Sequence, residues 1–376
     1  MPAIKHVLIL FSDTGGGHRS SGEAIREALL AQYPGRCRVD LVDLFLEYTP
    51  FPFRRFPAWY PWMVRRERVW KQGFRLSDGP HRSRALSIAF WPAVRRAVRK
   101  MVRDYPADVI VSVHPLFQVA LLRALGKRRP PYITVVTDLV STHAMWYHPK
   151  VDRCLVPTEP ARDRALACGM PAAKLHVVGL PIAAKFSQPV GDRSTLRRSL
   201  GWRDDLPVVL MAGGGEGMGP LLSIARAIAS LDLKLQLAVV AGRNQQLERQ
   251  LRAVPWEAPT HVYGFVANMP ELMGAADLMV TKAGPSTIVE AFNAGLPPIL
   301  SSALPGQEQG NVAYVVKEGA GVWAPGPEKV AQAVRAWLSD DGRPALNRAR
   351  ANARRLAYPR AACDIADEIG RLAGIS

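Results

Sequence analysis

The run Ser12-Asp-Thr-Gly-Gly-Gly-His18 closes an apolar stretch with an acid, three glycines and an imidazole. A histidine titrates near neutrality and can take a proton from a hydroxyl nucleophile, with Asp13 to orient it or to stabilise its cation. The plainer alternative is a histidine that only caps the helix after it. A complementary chemistry is offered by Thr281-Lys-Ala-Gly-Pro-Ser-Thr-Ile-Val-Glu290. Here Ala283-Gly284-Pro285 ends a β-like run, and Pro285 suits the first position of a helix. The open N–H groups and positive dipole of such a helix favour an anion, for instance a diphosphate, while Glu290 can accept two hydrogen bonds from a vicinal diol, for instance a ribose. Taken alone, the stretch reads rather as an ordinary strand-to-helix turn in an α/β domain with Glu290 solvated.

The elements that would hold these groups alternate between strands and helices. Ile4 to Phe11 reads as a buried strand, a helix runs from about Arg19 to Tyr33, and Arg38 to Leu44 is a second strand. Strand, glycine turn, helix and strand begin a doubly wound nucleotide-type domain, whose ligands sit beyond the C-terminal strand ends. The GxGxxG dinucleotide fingerprint is absent. Strands at 108–113, 132–137, 153–157 and 175–179 continue the series, and polar groups recur just past strand ends at Asp13, His18, His114, Asp138 and His143. That recurrence predicts one shared cleft. A second series starts at Leu206 and feeds Gly213-Gly-Gly-Glu-Gly-Met-Gly-Pro220, then strands at 235–241, 260–263, 277–281 and 298–301. The expected division is residues 1–182 and 193–357, with helix 358–376 crossing back to the first domain. Residues 50–103 interrupt the rhythm as an inserted helical hairpin.

Composition narrows the classes. The chain has 376 residues, 48% hydrophobic, enough for two full cores. No apolar run approaches the roughly 20 residues of a spanning helix, and no signal-peptide pattern follows Met1-Pro2, which predicts a protein on the cytoplasmic face, peripheral to a membrane if bound to one. Cys37, Cys154, Cys168 and Cys363 have neither zinc nor disulfide spacing, and His143 and His148 lack a metal-ligand spacing, so no metal is expected. The net charge of +17 is concentrated in residues 1–188, which hold 29 Lys+Arg against 14 Asp+Glu. Residues 54–103 alone carry 14 basic and 2 acidic side chains among Phe56, Trp59, Tyr60, Trp62, Trp70, Phe74, Phe90 and Trp91. Cations beside aromatics suit an anionic phospholipid surface. Nucleic acid would use the same charges, and a solvated basic helix face is the third possibility. GxxxxGK[ST] is absent, so phosphoryl transfer is not expected.

Taken in order, SDTGGGHRSSGEAI, VSVHPL, VVTDL, GGGEGMGP, AGRN, GFV, TKAGPSTIVEA and GQEQGNV resemble the monogalactosyldiacylglycerol synthases of plants and photosynthetic bacteria. These are glycosyltransferase-B proteins related to the lipid II N-acetylglucosaminyltransferase. The resemblance spans about residues 4–358. It implies an α/β protein with the glycosyltransferase-B fold, two Rossmann-like doubly wound domains facing across a cleft. It further implies inverting transfer of galactose from UDP-galactose to 1,2-diacylglycerol, with no cofactor required and no nucleic-acid partner; oligomeric state is left open.

By the same resemblance Glu290 binds the ribose, and Gly264, Phe265 and Val266 the uracil. Gly214, Gly215, Gly217, Met218 and Gly219 with Gly284, Ser286 and Thr287 bind the diphosphate, with Lys282 as a possible added cation or a mere flank of the loop. Gln307 and Glu308 hold hexose hydroxyls, and Arg243 and Asn311 complete the donor set. On the acceptor side stand Gly16, Gly17, His114, Asp138 and His143, with His18 and Asp13 as the catalytic pair. The chain departs from the usual plant pattern at Ser286, where Gly is common, and at Thr142-His143-Ala144, where Cys-His-Pro is common. Competing readings are a UDP-glucose-dependent diacylglycerol transferase, an N-acetylglucosaminyltransferase on a lipid-linked acceptor, a UDP-sugar epimerase, and a binding module without catalysis.

Overall fold

The computed structural model describes residues 3–13, 17–55, 58–59, 62–63, 66–127 and 129–375. Gly15 and Gly16 of the first glycine run, and Phe56, Pro57, Tyr60 and Pro61 of the insert, lie outside these. The chain divides into two compact units, one of Met1–Ala184, Pro305–Gln307 and Arg360–Ser376, the other of Lys185–Leu304 and Glu308–Pro359.

The first unit is built from β1 (Lys5–Phe11), α1 (Gly17–Gln32), β2 (Cys37–Asp43), α2 (Leu44–Tyr48), α3 (Glu67–Ser77), α4 (Pro80–Asp104), β3 (Val109–Ser112), α5 (Gln118–Leu125), β4 (Tyr132–Val135), β5 (Arg153–Val156), α6 (Glu159–Ala167) and β6 (Leu175–Val177). Its six strands are all parallel, in the order β2-β1-β3-β4-β5-β6. Strands such as β3 are buried along their whole length, as a parallel sheet covered by helices on both faces requires. The second unit holds α7 (Arg193–Ser199), β7 (Val208–Ala212), α8 (Leu221–Ala229), β8 (Gln236–Val240), α9 (Gln245–Arg252), β9 (Thr260–Tyr263), α10 (Met269–Ala275), β10 (Leu278–Lys282), α11 (Pro285–Asn293), β11 (Pro298–Ser302), α12 (Gln309–Lys317), β12 (Val322–Trp323), α13 (Pro327–Leu338) and α14 (Arg343–Arg355). Its sheet is also parallel, ordered β12-β11-β10-β7-β8-β9. In both sheets the winding direction reverses once, between β1 and β3 and between β7 and β10. Those are the places where a doubly wound sheet opens a crevice for a ligand.

The insert is α3 and α4 joined at a corner. Asp78 fastens that corner: its carboxylate accepts from Arg164 Nη2 at 2.8 and 2.9 Å, from Gly79 N and from Ala144 N, each at 2.9 Å. α4 turns Ala97, Val98 and Met101 into the core, and Phe53 and Trp91 are partly buried beside them. Other apolar groups face outward, with Phe51 at 74%, Leu76 at 72% and Trp62 at 56% exposure. Among the described residues, no helix is long and apolar enough to cross a membrane.

The last helix, α15 (Ala361–Ala373), lies in the first unit, where Ile365 and Ile369 are fully buried with Ile25 and Leu29 of α1. Gly370 lets it approach Tyr33, since a Cβ there would lie 2.5 Å from the phenolic oxygen. Truncating a buried isoleucine removes its transfer energy and leaves a cavity. Ile369→Ala is therefore expected to lower unfolding free energy by about 2–4 kcal/mol in urea denaturation; an unchanged midpoint would show that α15 is not part of the unit's core.

Candidate functional site

In the first unit the reversal between β1 and β3 places His18, on the first turn of α1, beside His114, just past β3, with ring centroids 4.7 Å apart. His18 Nδ1 is 2.8 Å from Thr137 Oγ1, and that hydroxyl lies 3.4 Å from the Val113 carbonyl. With its proton directed at Val113, the Thr137 oxygen is an acceptor for Nδ1–H, and Nε2 keeps the lone pair. Burial lowers the His18 pKa, against the opposing charge of Asp138. The ring is thus neutral at pH 7 and has a carboxylate to stabilise its cation.

Asp138 itself is buried just past β4, where its Oδ2 accepts from the indole Nε1 of the fully buried Trp146 at 2.7 Å. Its Oδ1 accepts from Gln307 Nε2 at 3.0 Å; Gln307, in the loop that follows β11, belongs to the first unit. Asp13 is engaged elsewhere. Arg19 clamps both its oxygens, from Nε at 2.7 Å and Nη2 at 2.5 Å, and its N–H donates to Asp43. Gly17 opens α1.

His114 and His143 share a helix-capping geometry: Nδ1 accepts from Leu116 N in one and from Met145 N in the other. Burial, then the neighbouring His18, holds His114 well below the usual histidine range. His143 also meets the end of α3, with Nε2 3.1 Å from Ser77 Oγ and its ring edge-on to Phe74.

In the second unit the loops after β7 and β10 flank the other reversal. The glycines after β7 serve first to close that loop on itself. Gly217 N donates to Gly214 O and Met218 N to Gly213 O, while a Cβ on Gly217 would lie 2.0 Å from the Ala241 carbonyl. Arg243, beyond β8, donates its N–H to Gly215 O and its Nη1 to Glu216, and its guanidinium lies 4.5 Å over the exposed ring of Phe265. Gly264 before that ring faces the Glu248 carboxylate, and Val266 after it is partly buried. Gly219 ends the turn near Ser302.

After β10, Gly284 opens α11 without a side-chain cap, and Pro285, Ser286 and Thr287 form its first turn. Lys282 lies between this turn and the loop after β7: its Nζ is 3.0 Å from where a Gly284 Cβ would stand, its Cε 3.9 Å from that of Gly214. Nζ donates to Glu308 Oε1 at 2.6 Å, while Asn311 Nδ2 donates to Ala283 O at 2.9 Å. Glu290, one turn on along α11, has no hydrogen-bond partner among the described residues, and burial pushes its carboxyl up to about 8, against the weak pull of Lys185. No group of three metal-ligating side chains occurs among the described residues. Of these contacts, Thr137, Arg19 and Trp146 were not legible as site residues; Thr137 alone had a signal, its place beside Asp138 at a strand end.

Two Rossmann-type parallel units, the second with an uncapped helix, a lysine and a free acid at its crevice, define the glycosyltransferase-B class. The crystal structure of Acinetobacter baumannii MurG shares this fold, with a TM-score of 0.66 over 98% of this chain and 99% of that one at 17% identity. Residues 18–182 match the monogalactosyldiacylglycerol (MGDG) synthase family, and residues 208–359 the glycosyltransferase family 28 C-terminal domain. A probable chloroplastic monogalactosyldiacylglycerol synthase of Glycine max is 40% identical over 98% of this chain and 71% of its own length. Monogalactosyldiacylglycerol synthase 1 of Arabidopsis thaliana is 38% identical with the same coverage. The chain belongs to the monogalactosyldiacylglycerol synthase family.

The raised Glu290 carboxyl has a consequence for stability. It stays protonated in the fold at pH values where the unfolded chain, at an ordinary 4.5, has already released its proton, so stability is lost as pH rises from about 4.5 through about 8. Glu290→Gln is therefore expected to melt higher than the wild type at pH 8.5 and equally at pH 4. A lower melting temperature at both would show that the carboxylate is stabilised by a partner.

Proposed function

We propose that this protein transfers galactose from UDP-galactose to the free hydroxyl of 1,2-diacylglycerol, inverting the anomeric centre, while docked on an anionic membrane surface. The observation that carries the reading is Glu290, a desolvated acid without a partner one turn along α11, on a chain of this family. Two ribose hydroxyls would satisfy it. The diphosphate would then lie at the open first turn of α11, beside Lys282. For transfer, His18 Nε2 takes the acceptor hydroxyl's proton as that oxygen bonds to the anomeric carbon. The bond from that carbon to the diphosphate breaks, and its electron pair leaves with UDP. Charge developing there meets N–H groups and an ammonium fixed in advance, the arrangement that lowers such a barrier most. Asp138, held by Trp146, stabilises the imidazolium formed.

Docking is assigned to the insert. Arg66 stacks 4.0 Å over the exposed Trp62, and Arg55 lies 5.8 Å from the exposed Phe51. Each cation at an anionic surface is worth about 1 kcal/mol, and the rings settle at headgroup depth.

The reading is tested by offering labelled UDP-galactose, UDP-glucose and UDP-N-acetylglucosamine separately with diacylglycerol in phosphatidylglycerol vesicles. Labelled galactolipid is expected from the first; label only from the second or third would reassign the donor, and none from any would sink the reading. His18→Ala is expected to reduce turnover at least 100-fold with UDP still bound, and the acid limb of the wild-type pH profile to fall below the ordinary histidine value of 6.5. Replacing Arg54, Arg55, Arg66 and Arg68 by Gln should weaken vesicle co-sedimentation at low salt more than at high salt. Equal sedimentation of the two proteins would move docking off the insert.

A further inference from the structure

We propose that Glu308 is a positioning residue that holds the Lys282 ammonium in place for the donor's diphosphate, and that it does not read the hexose. The assignment rests on the nucleotide-sugar reading above and sharpens it.

Both oxygens of Glu308 are already engaged within the second unit. Oε1 accepts from Lys282 Nζ at 2.6 Å, and Oε2 accepts from Leu304 N at 2.9 Å. The side chain is only 4% exposed, against 21% for Lys282. Each oxygen keeps a second lone pair, but at 4% exposure little of the carboxylate is open to a sugar hydroxyl, whereas the lysine it holds, at 21%, retains an open side. That lysine stands at the reversal between β7 and β10, with the loop of Gly214 on one flank and the start of α11 on the other. A flexible lysine left alone there would sample many rotamers, and fixing it beforehand removes that entropic cost from binding. Asn311, one turn after Glu308 on α12, supports the same turn from Nδ2 to Ala283 O. The GQEQGNV run thus braces the anion turn from behind with two of its residues.

Calorimetry with UDP and with uridine separates the alternatives, because UDP has no hexose and uridine no phosphate. Lys282→Met and Glu308→Gln are each expected to weaken UDP roughly 30-fold, the scale of one charge-assisted contact, and to leave uridine unchanged. The double variant should bind UDP no more weakly than Lys282→Met alone, since the two residues act as one. The residual transfer by Glu308→Gln should keep the wild-type preference between UDP-galactose and UDP-glucose. Wild-type UDP affinity in Glu308→Gln with a shifted donor preference would overturn the assignment, as would losses that add in the double variant. If Glu308→Gln does not fold, the double variant, which removes both charges, carries the test by the same comparison with Lys282→Met. A wild type that binds UDP yet transfers no hexose to diacylglycerol sinks the reaction and leaves this assignment standing; indifference of UDP affinity to Lys282→Met sinks the assignment alone, and absence of UDP binding sinks both.

Discussion

Everything in the two sites depends on one constraint of parallel sheets: where the winding reverses, two adjacent strands send their loops apart and leave their C-terminal ends uncovered. Here this happens between β1 and β3 and again between β7 and β10. The first gap brings His18 and His114 together, the second sets Lys282 between a glycine loop and a helix start. Each grouping joins residues distant in sequence: His18 and Thr137 are separated by three intervening strands, and Lys282 lies nearly 70 residues beyond the Gly214 loop. The sheet order makes them neighbours.

The dehydrated ionisable groups of the two crevices differ in the partners they meet. Glu290 has none, and its carboxyl holds its proton far above the ordinary range. Glu308, just before α12, is more enclosed, and its two oxygens meet an ammonium and an N–H. His18 sits between these cases: burial favours the neutral ring, and the nearby Asp138 restrains the shift. The base proposed at His18 would need that balance, since a ring too strongly destabilised as a cation could not accept the acceptor's proton.

The fold was legible because parallel strands buried on both faces read as unbroken apolar runs, and every strand placed from sequence lies within two residues of its observed bounds. β12 escaped, since its two residues, Val322 and Trp323, are too few for any pattern. The site was legible by position and less so by partner. His18, Asp138 and Glu290 stand past strand ends or on the helix that follows, and Lys282 is the last residue of β10, which a sequence reveals. That Arg19 takes the Asp13 carboxylate, or that Glu308 turns toward Lys282, is decided by side-chain geometry across a turn. The glycine run at 213–219 carries the same ambiguity. Glycine allows close approach without naming what approaches, and here part of that closeness is the chain meeting itself, at Ala241 and at Met218.

The insert shows how a surface helix can keep aromatic rings outside without collapsing inward. Its corner is pinned by Asp78 to Arg164 and to the Ala144 N–H, and by Ser77 to His143, so α3 and α4 are oriented by polar contacts at one end and by Val98 and Met101 at the other. Packing therefore does not require Trp62, Leu76 or Phe90, and these remain exposed at 47–72%. Were the insert the docking face proposed above, reversible attachment would follow from the magnitudes. A few cations at about 1 kcal/mol each, helped by shallow rings, hold a protein to an anionic surface far less firmly than a spanning helix. For the proposed transfer, which draws one substrate from a bilayer and the other from water, that weakness would be useful: a docking face of this strength would release the lipid surface readily, and salt would tune it directly.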